Sequence, residues 1–250
     1  MKTIRFKGLA ALSGLGFLLA AVPTQAATFT ESDDAGESLQ TAAAVTSAQS
    51  MSLESISGSL SGDADLFKIF LTGGQTFSAT TTSSETADIP VNQAAGIPID
   101  VVIDPKIFLF DELGNGVYAN DDLFGSVQST LLSGPGGFSP TASGIYFLGI
   151  SGTGLEAVSA NGQIFPSEPF DQIFGPTGAG GGSPLTGFVG DRTASFGKYT
   201  LSLTGAQTIA AAPPTDPAAS VPEPAMTLGL LMVGGLIISQ AKQSNRNQIS

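Results

Sequence analysis

Short apolar segments that alternate with a period of two and stop at glycine leave this chain few architectures. In "LFKIFLT" (Leu66–Thr72), Phe67, Ile69 and Leu71 fall on one side. In "GIYFLGISG" (Gly144–Gly152) Tyr146, Leu148 and Ile150 do the same, as do Tyr199, Leu201 and Leu203 in "GKYTLSLTG" (Gly197–Gly205). Successive side chains of a strand point to opposite faces, so each segment reads as a strand with one face in a core. "TFSATTT" (Thr76–Thr82) is rich in β-branched residues. "KIFLFDELGNGVYAND" reads as strand, turn, strand, with Gly114-Asn115-Gly116 supplying the positive φ of a tight hairpin. No window of similar length repeats at 3.6 residues, and 32 glycines and 15 prolines suit a turn-rich β protein. The pattern predicts an all-β domain, a single antiparallel β-sandwich with two sheets around one core.

The residues that are missing narrow the chemistry. The 250 residues include no Cys, His or Trp. That excludes disulfides, thiolate metal sites, His-ligated zinc and a Ser-His-Asp triad. Between Ala27 and Pro224 there are four basic residues (Lys68, Lys106, Arg192, Lys198) against all 21 acidic ones, a net charge of −17. Such a body repels phosphate backbones and predicts no nucleic-acid partner, while it attracts divalent cations and basic surfaces.

The two ends read as addresses. Residues 1–26 have the three parts of a signal peptide: Lys2, Arg5 and Lys7, an apolar stretch from Leu9 to Val22, and small residues up to Ala26 for cleavage by signal peptidase. Residues 27–205 form the expected body, and the Ala/Pro-rich residues 206–220 a semi-extended linker. In residues 221–250, "VPEP" precedes an apolar run from Met226 to Ile238 and a tail carrying Lys242 and Arg246. That run stands at the lower edge of a spanning helix, so the expected body is flanked by a signal helix and a C-terminal hydrophobic helix.

Two family resemblances rest on these residues. "GDADLFKIFLTGGQTF" (Gly62–Phe77), "DPKIFLFDELGN" (Asp104–Asn115), "ANDD" (Ala119–Asp122), "ASGIYFLGISG" (Ala142–Gly152) and "GKYTLSLTG" occur in this order. Together they resemble the bacterial pre-peptidase C-terminal domain, which implies a jelly-roll-like β-sandwich acting as a non-catalytic accessory or binding module. The C-terminal motif, apolar segment and basic tail resemble the PEP-CTERM sorting signal. That implies recognition of Pro222, Glu223 and Pro224 by an exosortase-type processing enzyme, with transient or stable membrane contact through the tail. The same resemblance implies an exported protein of the cell envelope, cell surface or extracellular matrix, in a biofilm setting, with polysaccharide or a surface protein as partner.

Two connections are longer than that pattern needs, residues 81–100 and the insertion 154–196. In the insertion Gly180-Gly181-Gly182 and several prolines argue against a helix or a long strand. Its apolar residues, among them Ile164, Phe165, Phe170, Phe174 and Phe188, are too many for a solvated loop and are expected to pack over an open end of the sandwich.

Acidic residues gather in two places. Glu31, Asp33, Asp34 and Glu37 open the body, and Asp63 and Asp65 precede a strand. Carboxylates in Gly-rich loops suit calcium, a hard cation that takes six to eight oxygens. In calcium-binding relatives of the resembled family, an acidic N-terminal segment and acids ahead of an early strand share the ion; the matching positions are Glu31, Asp33, Asp34, Asp63 and Asp65. The second group is Asp121 and Asp122 with Asn120 and Asp111. A carboxylate pair there would be the basis of an Asp-dependent hydrolase acting, for instance, on polysaccharide. Neighbours on a continuing strand point to opposite faces, however, and no base or oxyanion device accompanies them, so the expectation is that the protein is not an enzyme.

Overall fold

A computed structural model describes residues 26–82, 104–133 and 140–212. The chain divides into two units, Met1–Ala211 and Ala212–Ser250, and Ala212 is the one described residue of the second. Nearly all of the signal segment, the sorting motif Pro222–Pro224 and residues 83–103 lie outside the described residues. Among the described residues no helix is long and apolar enough to cross a membrane.

The described chain is all-β. Its strands are β1 (Ala27–Thr30), β2 (Ala43–Ala44), β3 (Thr46–Ser47), β4 (Ser52–Ser61), β5 (Asp65–Leu71), β6 (Ser78–Thr82), β7 (Pro105–Phe110) and β8 (Gly116–Asn120). There follow β9 (Thr130–Leu132), β10 (Gly144–Gly152), β11 (Leu155–Ser159), β12 (Gly162–Gln163), β13 (Ile173–Phe174), β14 (Leu185–Gly190), β15 (Phe196–Gln207) and β16 (Ile209–Ala210). Eleven strands join in one sheet along the path β1-β4-β15-β5-β10-β7-β8-β13, with β2 beside β5, and β6 and β9 branching from β15.

Strand β15 connects the two parts of that sheet. It pairs with β6 over Thr200–Thr204 and then with β5 through Ala206 and Gln207. The change of partner coincides with a register shift against β4 between Ser202 and Ala206. Gly205 sits there at φ 75°, and a side chain on it would run into the Thr76 carbonyl. Strand β15 therefore continues past Gly205, and β16 pairs with β3. The described strands thus run through Ala210, into the residues 206–220 that the sequence pattern read as a linker.

The pairing is mixed rather than purely antiparallel. β1 with β4, β2 with β5 and β16 with β3 run parallel. Alternation looks the same in either direction, and parallel neighbours need a long connection. The segments Glu31–Met51 and Val45–Ala64 provide one for the first two pairs.

Two apolar clusters occupy opposite sides of β5, β7 and β10. The larger gathers Ile56 and Leu60 of β4 and Tyr199 and Leu201 of β15 with Phe67, Ile69, Leu109, Leu148 and Ile150. The smaller sets Leu66, Phe108, Phe110 and Phe147 against Leu155, Ile164, Phe165, Leu185 and Phe188 of the insertion. Strand β7 is consequently buried at every position, as "PKIFLF" reads when both faces are covered. The insertion forms a three-stranded sheet, β12-β11-β14, and adds β13 to the edge of β8. Its glycines and prolines shorten strands instead of preventing them. Its aromatics do pack back on the body, with Phe165 at 5.7 Å from Phe110 and Phe188 at 5.5 Å from Phe108 between ring centroids. Phe170 and Phe196 are exceptions, each standing half exposed.

Among the described residues no apolar cluster covers the outer side of β1, β4, β15 and β6. Register places Thr30, Ser57, Thr200 and Thr82 in one row across these four strands, and Thr28, Ser55, Ser202 and Thr80 in the next.

Candidate cation site

Three carboxylates converge where β1 ends and β5 begins. Glu31 follows β1, Asp34 lies in the next turn, and Asp65 is the first residue of β5. One oxygen from each lies within 4.8 Å of the others. Calcium–oxygen distances of about 2.3–2.6 Å allow three such oxygens to share one ion.

Each side chain is fixed from behind. Glu31 accepts from the Ala35 amide at 2.7 Å through Oε1 and from the Ser59 amide at 3.0 Å through Oε2. Asp34 accepts from the Gly36 amide at 3.0 Å. The Tyr199 hydroxyl donates to Asp65 Oδ2 at 2.5 Å. Gly58 makes room for this arrangement, because a Cβ there would collide with both Glu31 and the Tyr199 hydroxyl. Asp65 is 1% exposed, yet its Oδ1 has no hydrogen-bond partner. A sealed carboxylate oxygen without a donor costs on the order of 1–3 kcal/mol or more unless something positive meets it.

The electrostatics carry the same mark. Burial, with the charges of Glu31, Asp63 and Asp34 adding to it, pushes the Asp65 carboxyl up to about 8 against the opposing Tyr199 hydrogen bond. Burial likewise raises Glu31, against its two backbone hydrogen bonds. Tyr199 is held protonated by burial and by the adjacent carboxylate.

Of the five acids expected to share a cation, the structure brings together Glu31, Asp34 and Asp65. Asp63 is turned onto Ser61, whose amide and hydroxyl donate to it at 2.8 and 3.0 Å. Asp33 is exposed and lines a neighbouring groove of 440 Å³ together with Glu31, Asp34, Ser57, Ser59 and Lys198. Glu37 is engaged elsewhere, in a two-point pair with Arg192 at 2.9 and 3.1 Å. Tyr199 and Gly58 are the members that sequence reading missed. Their roles depend on the pairing of β4 with β15, which sets Tyr199 opposite Gly58.

The second acidic group assembles differently from expectation. Strand β8 ends at Asn120 and the chain bends, so Asp121 and Asp122 do not take opposite faces. Both meet Asp104, one oxygen of each lying within 4.8 Å of the others. Lys106, 2% exposed, stands beside them with Glu156 at 2.8 Å and Asp121 at 3.8 Å. Burial, reinforced by Asp122 and Asp121, pushes Asp104 up to about 7. Asp111 takes no part: it holds the hairpin turn by accepting from the amides of Leu113 and Asn115.

No family model matches this chain, and no curated protein sequence matches it.

Proposed function

We propose that the protein is an exported, non-catalytic binding or structural module: a jelly-roll-like β-sandwich stiffened by calcium and addressed to the cell envelope or extracellular matrix by a PEP-CTERM-type tail. The observation that carries the calcium reading is Asp65 Oδ1, buried and unpartnered beside Glu31 and Asp34. The sandwich reading is supported by one apolar cluster that takes side chains from β4 and β15 as well as from β5, β7 and β10. Export and sorting rest on the two termini, with signal peptidase, an exosortase-type enzyme acting at Pro222, Glu223 and Pro224, and membrane contact through the tail as their counterparts. A polysaccharide or a second surface protein is the partner that a non-catalytic module of this setting would hold.

In this reading calcium links the end of β1 to the start of β5, and so ties the first strand to the body. The test is thermal unfolding of the residue 27–250 protein in chelator and in rising calcium. Binding to the folded state alone raises stability by RT ln(1 + [L]/Kd), about 2.7 kcal/mol at a hundred times Kd. A midpoint that climbs with calcium supports the site, and one indifferent to calcium refutes it.

An Asp-dependent hydrolase is the competing reading, and the meeting of Asp104, Asp121 and Asp122 is what favours it. Against it, the Oδ1 atoms of all three are sealed from solvent. Carboxylates that work on a glycosidic bond must reach it, so we favour a structural role for this group.

A further inference from the structure

Lys106 is the second residue of β7 and is 2% exposed, with its ammonium 5.9 Å from the centre of the Phe108 ring. Strand β7 pairs with β8 through Ile107 and Asn120, so one further step of that ladder sets Lys106 opposite Asp121. Asp121 Oδ2 stands 3.8 Å from Lys106 Nζ. From β11 of the insertion, Glu156 accepts two hydrogen bonds from the same nitrogen, at 2.8 and 2.9 Å. An amine, a carboxyl group within its reach and a second carboxylate in contact with the amine thus share one enclosed site.

A salt bridge accounts for Glu156 but not for Asp121. Its Oδ2 is too far from Nζ for a hydrogen bond and accepts from the Thr153 hydroxyl at 3.5 Å. Its Oδ1 is sealed and has no partner. Among the described residues, one ammonium is shared by four carboxyl groups, those of Asp104, Asp121, Asp122 and Glu156. Burial raises the Asp121 carboxyl, against the pull of Lys106 and with Asp122 and Glu156 adding to it. An excess of buried acid favours the uncharged form of a carboxyl group, and that is the form an amine can attack. Glu156 prepares the other partner. By taking a proton from Nζ it leaves a neutral amine, the nucleophilic form of lysine.

We infer that Lys106 and Asp121 join in an intramolecular amide bond, Nζ to Cγ, with Glu156 as the proton carrier. Nζ gives one proton to Glu156 and attacks Cγ of the protonated Asp121. The C–N bond forms, and an electron pair moves onto Oδ2, which the Thr153 hydroxyl holds. Glu156 passes its proton to the Oδ1 hydroxyl and takes a second one from the nitrogen. The C–Oδ1 bond then breaks and one water leaves, past an Asp121 side chain that is 13% exposed. No oxidant or further reactant is needed. The ion pair of Lys106 with Glu156 is the state that precedes the bond, and the finished amide keeps one N–H for Glu156. The bond ties β7 to the end of β8. A cross-link restricts the unfolded chain as a disulfide does, and this chain has no Cys to form one. The inference goes beyond the calcium reading and does not depend on it.

The experiment is the mass of the denatured residue 27–250 protein, followed by digestion. The bonded protein should weigh about 18 Da less than its sequence, the mass of one water. Glu112 lies between Lys106 and Asp121, so glutamyl endopeptidase cuts the chain between them. The peptide ending at Glu112 and the one starting at Leu113 should then stay joined, and trypsin should fail to cut after Lys106. Glu156→Gln keeps the shape but takes up no proton, and Lys106→Arg keeps the charge but offers no amine. Both variants should show their full sequence mass and separate peptides. Circular dichroism shows whether each is folded; where one is not, the joined peptides of the parent decide. A parent at full mass with separate peptides would overturn the inference, and so would the same mass loss with the peptides separate. Joined peptides in folded Glu156→Gln, as complete as in the parent, would remove Glu156 from the reaction.

Discussion

Tyr199 of β15 and Asp65 at the start of β5 share a 2.5 Å hydrogen bond at the border of the larger core, and it satisfies one carboxylate oxygen while leaving the other bare. A buried acid with one filled and one empty oxygen is poised between two states. It can hold a proton, or it can release the proton and meet a cation. Glu31 and Asp34 penalise the ionised form as long as no cation is there, and they become co-ligands when one arrives.

Asp65→Asn separates these states. The amide keeps the shape and an acceptor for Tyr199 but removes the charge. The variant should be at least as stable as the parent in chelator at neutral pH, since it lacks the cost of taking up, on folding, the proton that the unfolded Asp65 has given up. In saturating calcium it should lose most of the gain, on the order of 2–3 kcal/mol, that the parent shows. Paired thermal melts with and without calcium measure both effects, and an undiminished calcium response in the variant would remove Asp65 from the site.

The pH dependence follows from the same residue. The Asp65 carboxyl stands at 3.8 in an ordinary setting and is pushed up to about 8 in the folded chain. Between those values the folded protein holds a proton that the unfolded chain has given up. Stability in chelator should therefore fall as pH rises from about 4 to about 8, with a slope up to about 1.4 kcal/mol per pH unit from this group. Asp104, pushed up to about 7, adds a fall of the same sign over the lower part of that window. Calcium binds the ionised carboxylates, so it should flatten the upper part of the curve. Urea midpoints at a series of pH values, in chelator and in calcium, give the two slopes. Stability rising with pH through this window in chelator would contradict the assignment.

Lys106 is the buried cation on which the second acidic group depends. It is 2% exposed and donates to both oxygens of Glu156 at 2.8 and 2.9 Å. Lys106→Met leaves Glu156 and Asp121 without their partner and should cost about 3–5 kcal/mol. Adding Glu156→Leu should restore a large part of that loss, because the charge left uncompensated is then gone as well. A double-mutant cycle by urea unfolding reads the coupling directly; additive losses would show that the pair is not a unit.

How much of this was legible beforehand depends on the range over which each signal acts. Alternation in Leu66–Thr72, Gly144–Gly152 and Gly197–Gly205 is local, and the strands β5, β10 and β15 lie on those residues. The Gly114 turn was equally local, and it carries the positive φ the hairpin needed. Parallel pairing of β1 with β4 and of β2 with β5 left no trace, because a strand's alternation does not encode its neighbour's direction. The acids at 31, 34 and 65 could be suspected from composition, but Tyr199 enters only through long-range register. For Asp121 and Asp122 the sequence left a continuing strand and a plain turn both open; β8 ends at Asn120, and the bend there brings both to Asp104, a partner that only the fold supplies.

The insertion gives the sharpest contrast between two residues of one kind. Phe165 is 1% exposed and packs at a tilt against Phe108 and Phe110, while Phe170, five positions on, is 52% exposed. If residues 154–196 were a loop draped over the body, neither would matter to the fold. As part of a second core covering β5, β7 and β10, Phe165 should cost about 3–5 kcal/mol when cut to alanine. Phe170→Ala should stay within about 0.5 kcal/mol of the parent, as surface substitutions do. Urea unfolding of both variants tests this in one experiment, because the body and the insertion then unfold together in a single transition. A Phe165→Ala protein as stable as the parent, or a separate early transition for the insertion, would mean that the smaller cluster is an ornament on the fold and not a share of its stability.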